Sequence, residues 1–202
     1  MKALMVDVDG VIVVHPDPAG WSTNLKRDLG LAIELLQEKF FAPNFHDIVH
    51  GRAALRERLA PVLADIAPHL TCDQLCAYWF ENDSHLDHDL LDQLAAFRAR
   101  GYALHLATVQ EHERAAYLWN DLGLKDRFDA IDYAADIGAT KSEPAFYHTV
   151  ETRTGRPPEG HLLIDDTAAN IEAARAAGWK AELWDGQCAI SALISRHDIG
   201  FP

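Results

Sequence analysis

The chain has 202 residues, 49% of them hydrophobic and 24% charged, and a formal net charge of −13. This length suits one domain with a large insertion or two small domains, and the mixture excludes disorder as the main state. The acidic balance opposes non-specific binding to nucleic acid or to an anionic membrane, yet admits a small anionic substrate held by local cations.

The first predicted element is a short apolar strand over residues 2–7, which runs into Asp7-Val8-Asp9-Gly10-Val11. The next feature is the entry His15-Pro16-Asp17-Pro18-Ala19-Gly20, rich in proline and glycine. From there to about Asp89 the chain carries no strong strand signal. Leu25, Leu29, Ile33, Leu36 and Phe40 have helical spacing, as do Leu55, Leu59 and Leu63. Pro61 predicts a kink or break in the second of these. Leu75 to Phe80 reads as a further helix, and Asn82-Asp83-Ser84-His85 as a polar exit. An insertion of this size is far longer than an ordinary crossover. The division expected is therefore a core of residues 1–14 and 90–202, with residues 15–89 as an inserted all-helical cap.

Beyond the insertion, helices and strands alternate. Leu90, Leu94 and Phe97 mark one helix face, Ala115, Leu118 and Leu122 a second, and Ala168, Ile171, Ala174 and Ala177 a third. Each ends beside a glycine, the expected helix stop. Strands are predicted near 103–108, 129–133, 161–165 and 180–184. The alternation implies an α/β fold, a Rossmann-like and mostly parallel sheet with helices on both faces.

In such sheets ligands sit at the carboxyl ends of the strands. There the chain places Asp7 and Asp9, Thr108, Lys141 after Gly138-Ala139-Thr140, and Asp165-Asp166. Four acids on two strand ends repel unless a cation lies among them, and magnesium prefers such hard oxygens. A carboxylate can act as a nucleophile toward phosphorus, while a hydroxyl and an ammonium can hold the other phosphoryl oxygens. Asp9, two residues past Asp7, can serve as general acid and then as general base.

Four stretches, Asp7-Val8-Asp9-Gly10-Val11, Leu106-Ala107-Thr108, Lys141-Ser142-Glu143-Pro144 and Leu162-Leu163-Ile164-Asp165-Asp166, stand in an order that resembles the haloacid dehalogenase superfamily. Thr167 to Ala174 continues the likeness, which covers essentially the whole chain. The resemblance implies Asp7 as nucleophile and Asp9 as acid and base. It implies Mg2+ held by Asp7, the Asp9 carbonyl and Asp166, with Asp165 as a ligand or supporting group. Thr108 and Lys141 would bind the phosphoryl group. Relatives of the dehalogenase branch lack an acid at the position of Asp9, so Asp9 favours phosphate esters.

The chain departs from the family pattern in two places. Val109 stands where relatives often have Asn, beside the phosphate, and bears on rate or substrate choice. Ser142-Glu143 replaces the more usual Pro-Asp; Glu143 is expected to pair with Lys141 or steady its loop. The function implied is a Mg2+-dependent phosphatase hydrolysing a small phosphorylated metabolite through an aspartyl-phosphate. The alternatives are a phosphomutase on the same scaffold, a 2-haloacid dehalogenase-like hydrolase, and a catalytically silent ligand-binding relative. A bacterial receiver domain uses similar residues in the reverse order.

Other residues receive plainer readings. His15 and Trp21, near the entry, are candidate cap or specificity contacts, and His112 is either a site neighbour or a surface helix cap. Phe40-Phe41 and Tyr78-Trp79-Phe80 read as cap core. His85, Asp87, His88 and Asp89 read as a polar linker in which Asp87 caps the next helix. Asp166 or Thr167 is expected to cap the helix that follows. Cys72 and Cys76, four apart, read as small side chains on one helix face. Three cysteines and no early apolar run of signal length fit a reducing cytoplasm. No stretch approaches the roughly 18 apolar residues of a membrane span. Either a monomer or a homodimer is compatible with this pattern.

Overall fold

The computed structural model describes residues 2–17 and 20–197. Strand β1 (Ala3–Val6) is followed by α1 (Leu25–Leu29), α2 (Ile33–Leu36), a π-helical turn (Gln37–Phe41), α3 (Ala42–Val49), α4 (Leu55–Ile66) and α5 (Cys72–Asn82). Then come α6 (His88–Ala99), β2 (Ala103–Thr108), α7 (His112–Ala116) with a π-helical turn at Tyr117–Asp121, β3 (Ala130–Tyr133) and α8 (Ala134–Ile137). The chain continues as α9 (Pro144–Thr154), β4 (His161–Asp165), α10 (Ala168–Ala176), β5 (Lys180–Leu183) and α11 (Ile190–Ser195).

The five strands form one parallel sheet in the order β3-β2-β1-β4-β5. Strand β1 is central because it is buried on both faces. Leu4 and Val6 pack with Leu94 and Phe97 of α6 and with Leu193 of α11, whereas Ala3 and Met5 pack with Phe146 and Val150 of α9 and with Ile171 of α10. This two-residue alternation is the pleat of the strand. It explains why β1 is uninterruptedly apolar and why helices cover both faces.

Leu25, Leu36, Phe40, Leu59, Leu63, Leu75 and Phe80 gather in a separate apolar cluster formed almost entirely by the helical segment between β1 and α6. Helix α4 runs without a break through Pro61, where a kink or break was expected. Pro61 and Glu57 are both exposed, so the carbonyl that proline leaves unpaired faces water, while Leu55, Leu59 and Leu63 hold the buried face together. The two chains that enter and leave this segment lie side by side. Val13 bridges Leu86, Val14 N–H donates to the His85 carbonyl at 2.8 Å, and Asp87 N–H donates to the Ile12 carbonyl at 2.9 Å. Helix α6 starts at His88, so a boundary drawn between residues 89 and 90 cuts its first turn. Asp87 caps it, accepting from Leu90 N–H at 2.9 Å. Among the described residues no helix is long and apolar enough to cross a membrane.

Candidate active site

Strand pairing continues one residue beyond β1, because Asp7 N–H donates to the Ile164 carbonyl at 2.9 Å. The register therefore brings Asp7 beside Asp165 at the end of β4. The chain then turns sharply: the amides of Ile12 and Val13 return to the Val8 carbonyl, and Gly10 N–H donates to the Val13 carbonyl at 2.9 Å. Val8, Val11, Ile12 and Val13 are wholly buried and anchor that turn. Gly10 has φ +76°, and a Cβ there would lie 2.0 Å from Asp166 Oδ2. Only glycine allows the backbone both this conformation and this approach.

Lys141 joins the two strand ends. Its ammonium lies 2.6 Å from Asp7 Oδ1 and 2.6 Å from Asp165 Oδ2, with its side chain only 1% exposed. Burial alone would lower its pKa, but Asp7 and Asp165 together hold it above the ordinary value. Burial pushes the Asp7 carboxyl up to about 7, against the opposing pull of Lys141 and with Asp165 adding to the rise. The Lys141 loop has further ties. The Tyr147 hydroxyl donates to the Lys141 carbonyl at 2.6 Å. Glu143 steadies the loop rather than pairing with the lysine: it accepts from Thr140 N–H at 2.8 Å and meets His50 Nε2 at 2.8 Å.

Asp9 is raised by burial and by the charge of Asp83. The Gln110 amide donates to its Oδ2 at 2.6 Å. Asp165 is heavily engaged: Oδ1 accepts from Thr167 N–H at 2.9 Å and Asn170 Nδ2 at 3.1 Å, and Oδ2 accepts from Lys141. No side-chain hydrogen bond from Thr167 or Asp166 caps α10, contrary to expectation: the Thr167 hydroxyl donates to Asp166 Oδ1 at 3.2 Å, and the Asn170 amide donates to the Thr167 carbonyl at 3.0 Å. Asp7, Asp165 and Asp166 each offer an oxygen, all within 4.8 Å of one another. Three clustered carboxylates, one with its proton affinity raised, are a donor set suited to a small hard dication.

These groups face a cleft of about 370 Å³ lined by Asp7, Asp9, Val109, Lys141, Asp166 and Asn170, among others. Thr108 ends β2 but is fully buried, with Gln110 Nε2 at 3.5 Å, and it does not line the cleft. Neither do the three outlying candidates. His15 Nε2 lies 2.6 Å from Asp83 Oδ1. Trp21 stacks on Trp79 with ring centroids 5.4 Å apart. His112 packs edge-on against Tyr133 and does not cap α7, since Glu111 accepts from the Glu113 and Arg114 amides.

Sequence reasoning assigned no role to Gln110, Asn170 or Arg114. Gln110 had a usable signal, because it lies two residues past Thr108 and extended chain returns a side chain to the same side at that spacing. Asn170 sits in the first turn of α10, within reach of the strand end behind it. Arg114 gave no signal. It is a buried arginine of α7 that donates to the Phe80 carbonyl at 3.1 Å and to the Asp83 carbonyl, with Asp83 Oδ2 at 3.4 Å. Its guanidinium lies over the rings of Phe80 and Tyr117, at 5.5 and 5.6 Å from the centroids. Such a cluster depends on tertiary contacts alone.

A parallel sheet with acids and a buried lysine converging at its carboxyl edge defines an α/β enzyme site. A family model described as haloacid dehalogenase-like hydrolase matches residues 1–178, and the chain belongs to that family of hydrolases. It is 25% identical over 191 residues to a phosphoglycolate phosphatase of Aquifex aeolicus, covering 91% of this chain and 84% of the relative. The fold is similar to that of a HAD family enzyme of Bacteroides thetaiotaomicron crystallised with magnesium and inorganic phosphate, with TM-score 0.79, 20% identity and coverage of 96% and 98%. It is also similar to a 2-haloacid dehalogenase of Pseudomonas syringae, with TM-score 0.68, 19% identity and coverage of 97% and 99%.

Proposed function

We propose that the chain is a Mg2+-dependent phosphomonoester hydrolase acting on a small phosphorylated metabolite, with residues 15–89 as its cap and the cytoplasm as its compartment. The observation that carries the reading is the pairing of Asp7, tethered at Oδ1 by Lys141, with Asp9 beside it in the same cleft. The phosphoglycolate phosphatase relative and the neighbour crystallised with magnesium and phosphate support it. So does the free state of Cys72, Cys76 and Cys188 for the compartment.

Asp7 and Asp166, with the Asp9 carbonyl, would hold the magnesium, whose charge would lower the repulsion between carboxylate and phosphate. The chain's own groups do the rest. Lys141 fixes the Asp7 carboxylate in one orientation and offers positive charge to the phosphoryl oxygens. Asp7 attacks phosphorus and forms an acyl phosphate as the alcohol departs. Asp9, whose burial favours its protonated form, gives a proton to the leaving oxygen and then takes one from the attacking water. Asp165 stays bound to Lys141, Thr167 and Asn170 and holds the lysine in place.

The test is phosphate release from a panel of phosphate monoesters with and without Mg2+, using Asp7→Asn as control. Release that needs both Mg2+ and Asp7 is expected. Near-normal turnover by Asp7→Asn would remove the nucleophile from its role. Conversion of a hexose 1-phosphate to its isomer without free phosphate would make the protein a mutase.

A further inference from the structure

A second cavity, of about 480 Å³, opens in the helical segment and is lined by Trp21, Phe41, Phe45 and Trp79 with Gln37 and Ile33. The rings form one continuous aromatic wall. Trp21 stacks on Trp79 at 5.4 Å and 25°, and Phe41 meets Phe45 at 5.3 Å and Trp79 at 5.4 Å, edge-on in both cases. The wall is the open edge of the segment's apolar core: Leu25, Leu36, Phe40 and Leu59 are at most 1% exposed, whereas Trp21, Phe41 and Phe45, which pack against that core, stay half-buried. Gln37 and Phe41 belong to the π-helical turn, a local widening that recurs at functional positions.

Two walls of this cavity lead to the catalytic loops. Trp79 Nε1 donates to Asp83 Oδ2 at 3.3 Å, and the charge of Asp83 acts on Asp9. Helix α3, which carries Phe45, ends at His50, whose ring nitrogen meets Glu143, two residues from Lys141. The charge pattern is as informative as the shape. Among the described residues that line the cleft and the cavity, Lys141 is the only cation, and Asp7 and Asp165 already hold it. A carboxylate on the organic part of the substrate would meet no unengaged positive group there, and would face Asp9 and Asp166.

We infer that this cavity receives the organic part of the phosphate ester, and that this part is an uncharged alcohol bearing an apolar ring rather than a carboxylate-bearing alcohol of the glycolate kind. The assignment rests on the hydrolase reading for its chemistry but not for its binding. Ring stacking and apolar burial supply the affinity, while Gln37 offers one polar contact at the rim.

Two measurements test it. Quenching of tryptophan fluorescence in the presence of Mg2+ is titrated with benzylphosphonate and with phosphonoacetate, neither of which can be hydrolysed. Benzylphosphonate should bind at least about tenfold more tightly, and Trp21→Ala and Phe45→Ala should each weaken it by about tenfold while inorganic phosphate binds unchanged. Because the surface variant Gln37→Arg leaves the aromatic wall intact, it should raise affinity for phosphonoacetate. In turnover, benzyl phosphate should show a lower KM than phosphoglycolate, and the two wall variants should raise that KM more than they lower kcat. Equal affinity for the two phosphonates, tighter phosphonoacetate, or wall variants without effect would overturn the inference while leaving the hydrolase reading intact. Selective benzylphosphonate binding without release of phosphate from any ester would do the reverse.

Discussion

Gly10→Ala probes the approach of the first acidic turn to the far end of β4. The added Cβ would stand 2.0 Å from Asp166 Oδ2, whereas ordinary contact begins at 3.4 Å, so one partner must move by about 1.4 Å. The φ of +76° adds left-handed strain of about 1–2 kcal/mol for a residue with a Cβ. The carboxylate is the softer partner: Asp166 is exposed and is held by one hydrogen bond, from Thr167 Oγ1 at 3.2 Å. Displacing a group of the reacting centre by about 1 Å lowers rate about 100-fold, or about 2.7 kcal/mol in the barrier. The expected result is a small fall in melting temperature with a large fall in Mg2+ affinity and in phosphate release. Titration calorimetry with Mg2+, thermal unfolding without it and a steady-state phosphate assay separate the two effects. Unchanged Mg2+ affinity and rate in a folded Gly10→Ala protein would refute the placement of Asp166 at the metal.

Asp9→Asn should retain Mg2+ binding, since its carbonyl is the predicted ligand, yet slow turnover about 10²–10⁴-fold and let phosphorylated Asp7 accumulate, as mass spectrometry of quenched protein would report. Loss of Mg2+ binding in that variant would count against the assignment. Asp7 has its pKa raised to about 7, so without metal the native state takes up a proton that the unfolded chain, titrating near 3.8, does not hold. Metal-free stability should therefore fall from about pH 4 toward 7, and Mg2+ should raise the melting temperature more at pH 8 than at pH 5; equal gains would contradict this. His161 is held below its ordinary pKa of 6.5 by burial against Trp179, so the native state resists a proton that the unfolded chain accepts. Stability should decline as pH drops below about 6.5, with a slope that urea titrations find smaller in His161→Gln. Arg114→Met leaves Asp83 paired only with His15 and Trp79, and should destabilise the fold by about 3–5 kcal/mol in urea unfolding.

The three central strands were legible because β1, β2 and β4 are short, mainly apolar runs that lead into Asp7, Thr108 and Asp165, and helix stops at glycines separate the elements that follow. Asp7, Lys141, Asp165 and Asp166 converge because parallel topology carries every strand's carboxyl end to one edge. The readings that failed concern local competition between neighbours. The Thr167 hydroxyl turned to Asp166 instead of the α10 amides, His112 lost the cap to Glu111, and α4 ran through Pro61 because the Glu57 carbonyl that proline leaves unpaired belongs to an exposed residue. Spacing does not show which of two adjacent polar groups reaches an amide first. Gln110 and Arg114 depended on contacts across 101 and 31 positions, beyond the reach of any periodic pattern.

The junction of Arg114, Asp83 and His15 makes the helical segment mechanically lopsided. At one end, a buried sheet-side guanidinium, the outgoing chain and the half-buried His15 of the incoming chain meet at Asp83 in a single node. Elsewhere the segment meets the core through two more open ties, His50 with Glu143, whose acid side chain is 45% exposed, and Arg56 with Glu113, at 43% and 31%. Salt screens exposed pairs before buried ones, so raised ionic strength should loosen those two ties before it reaches the node.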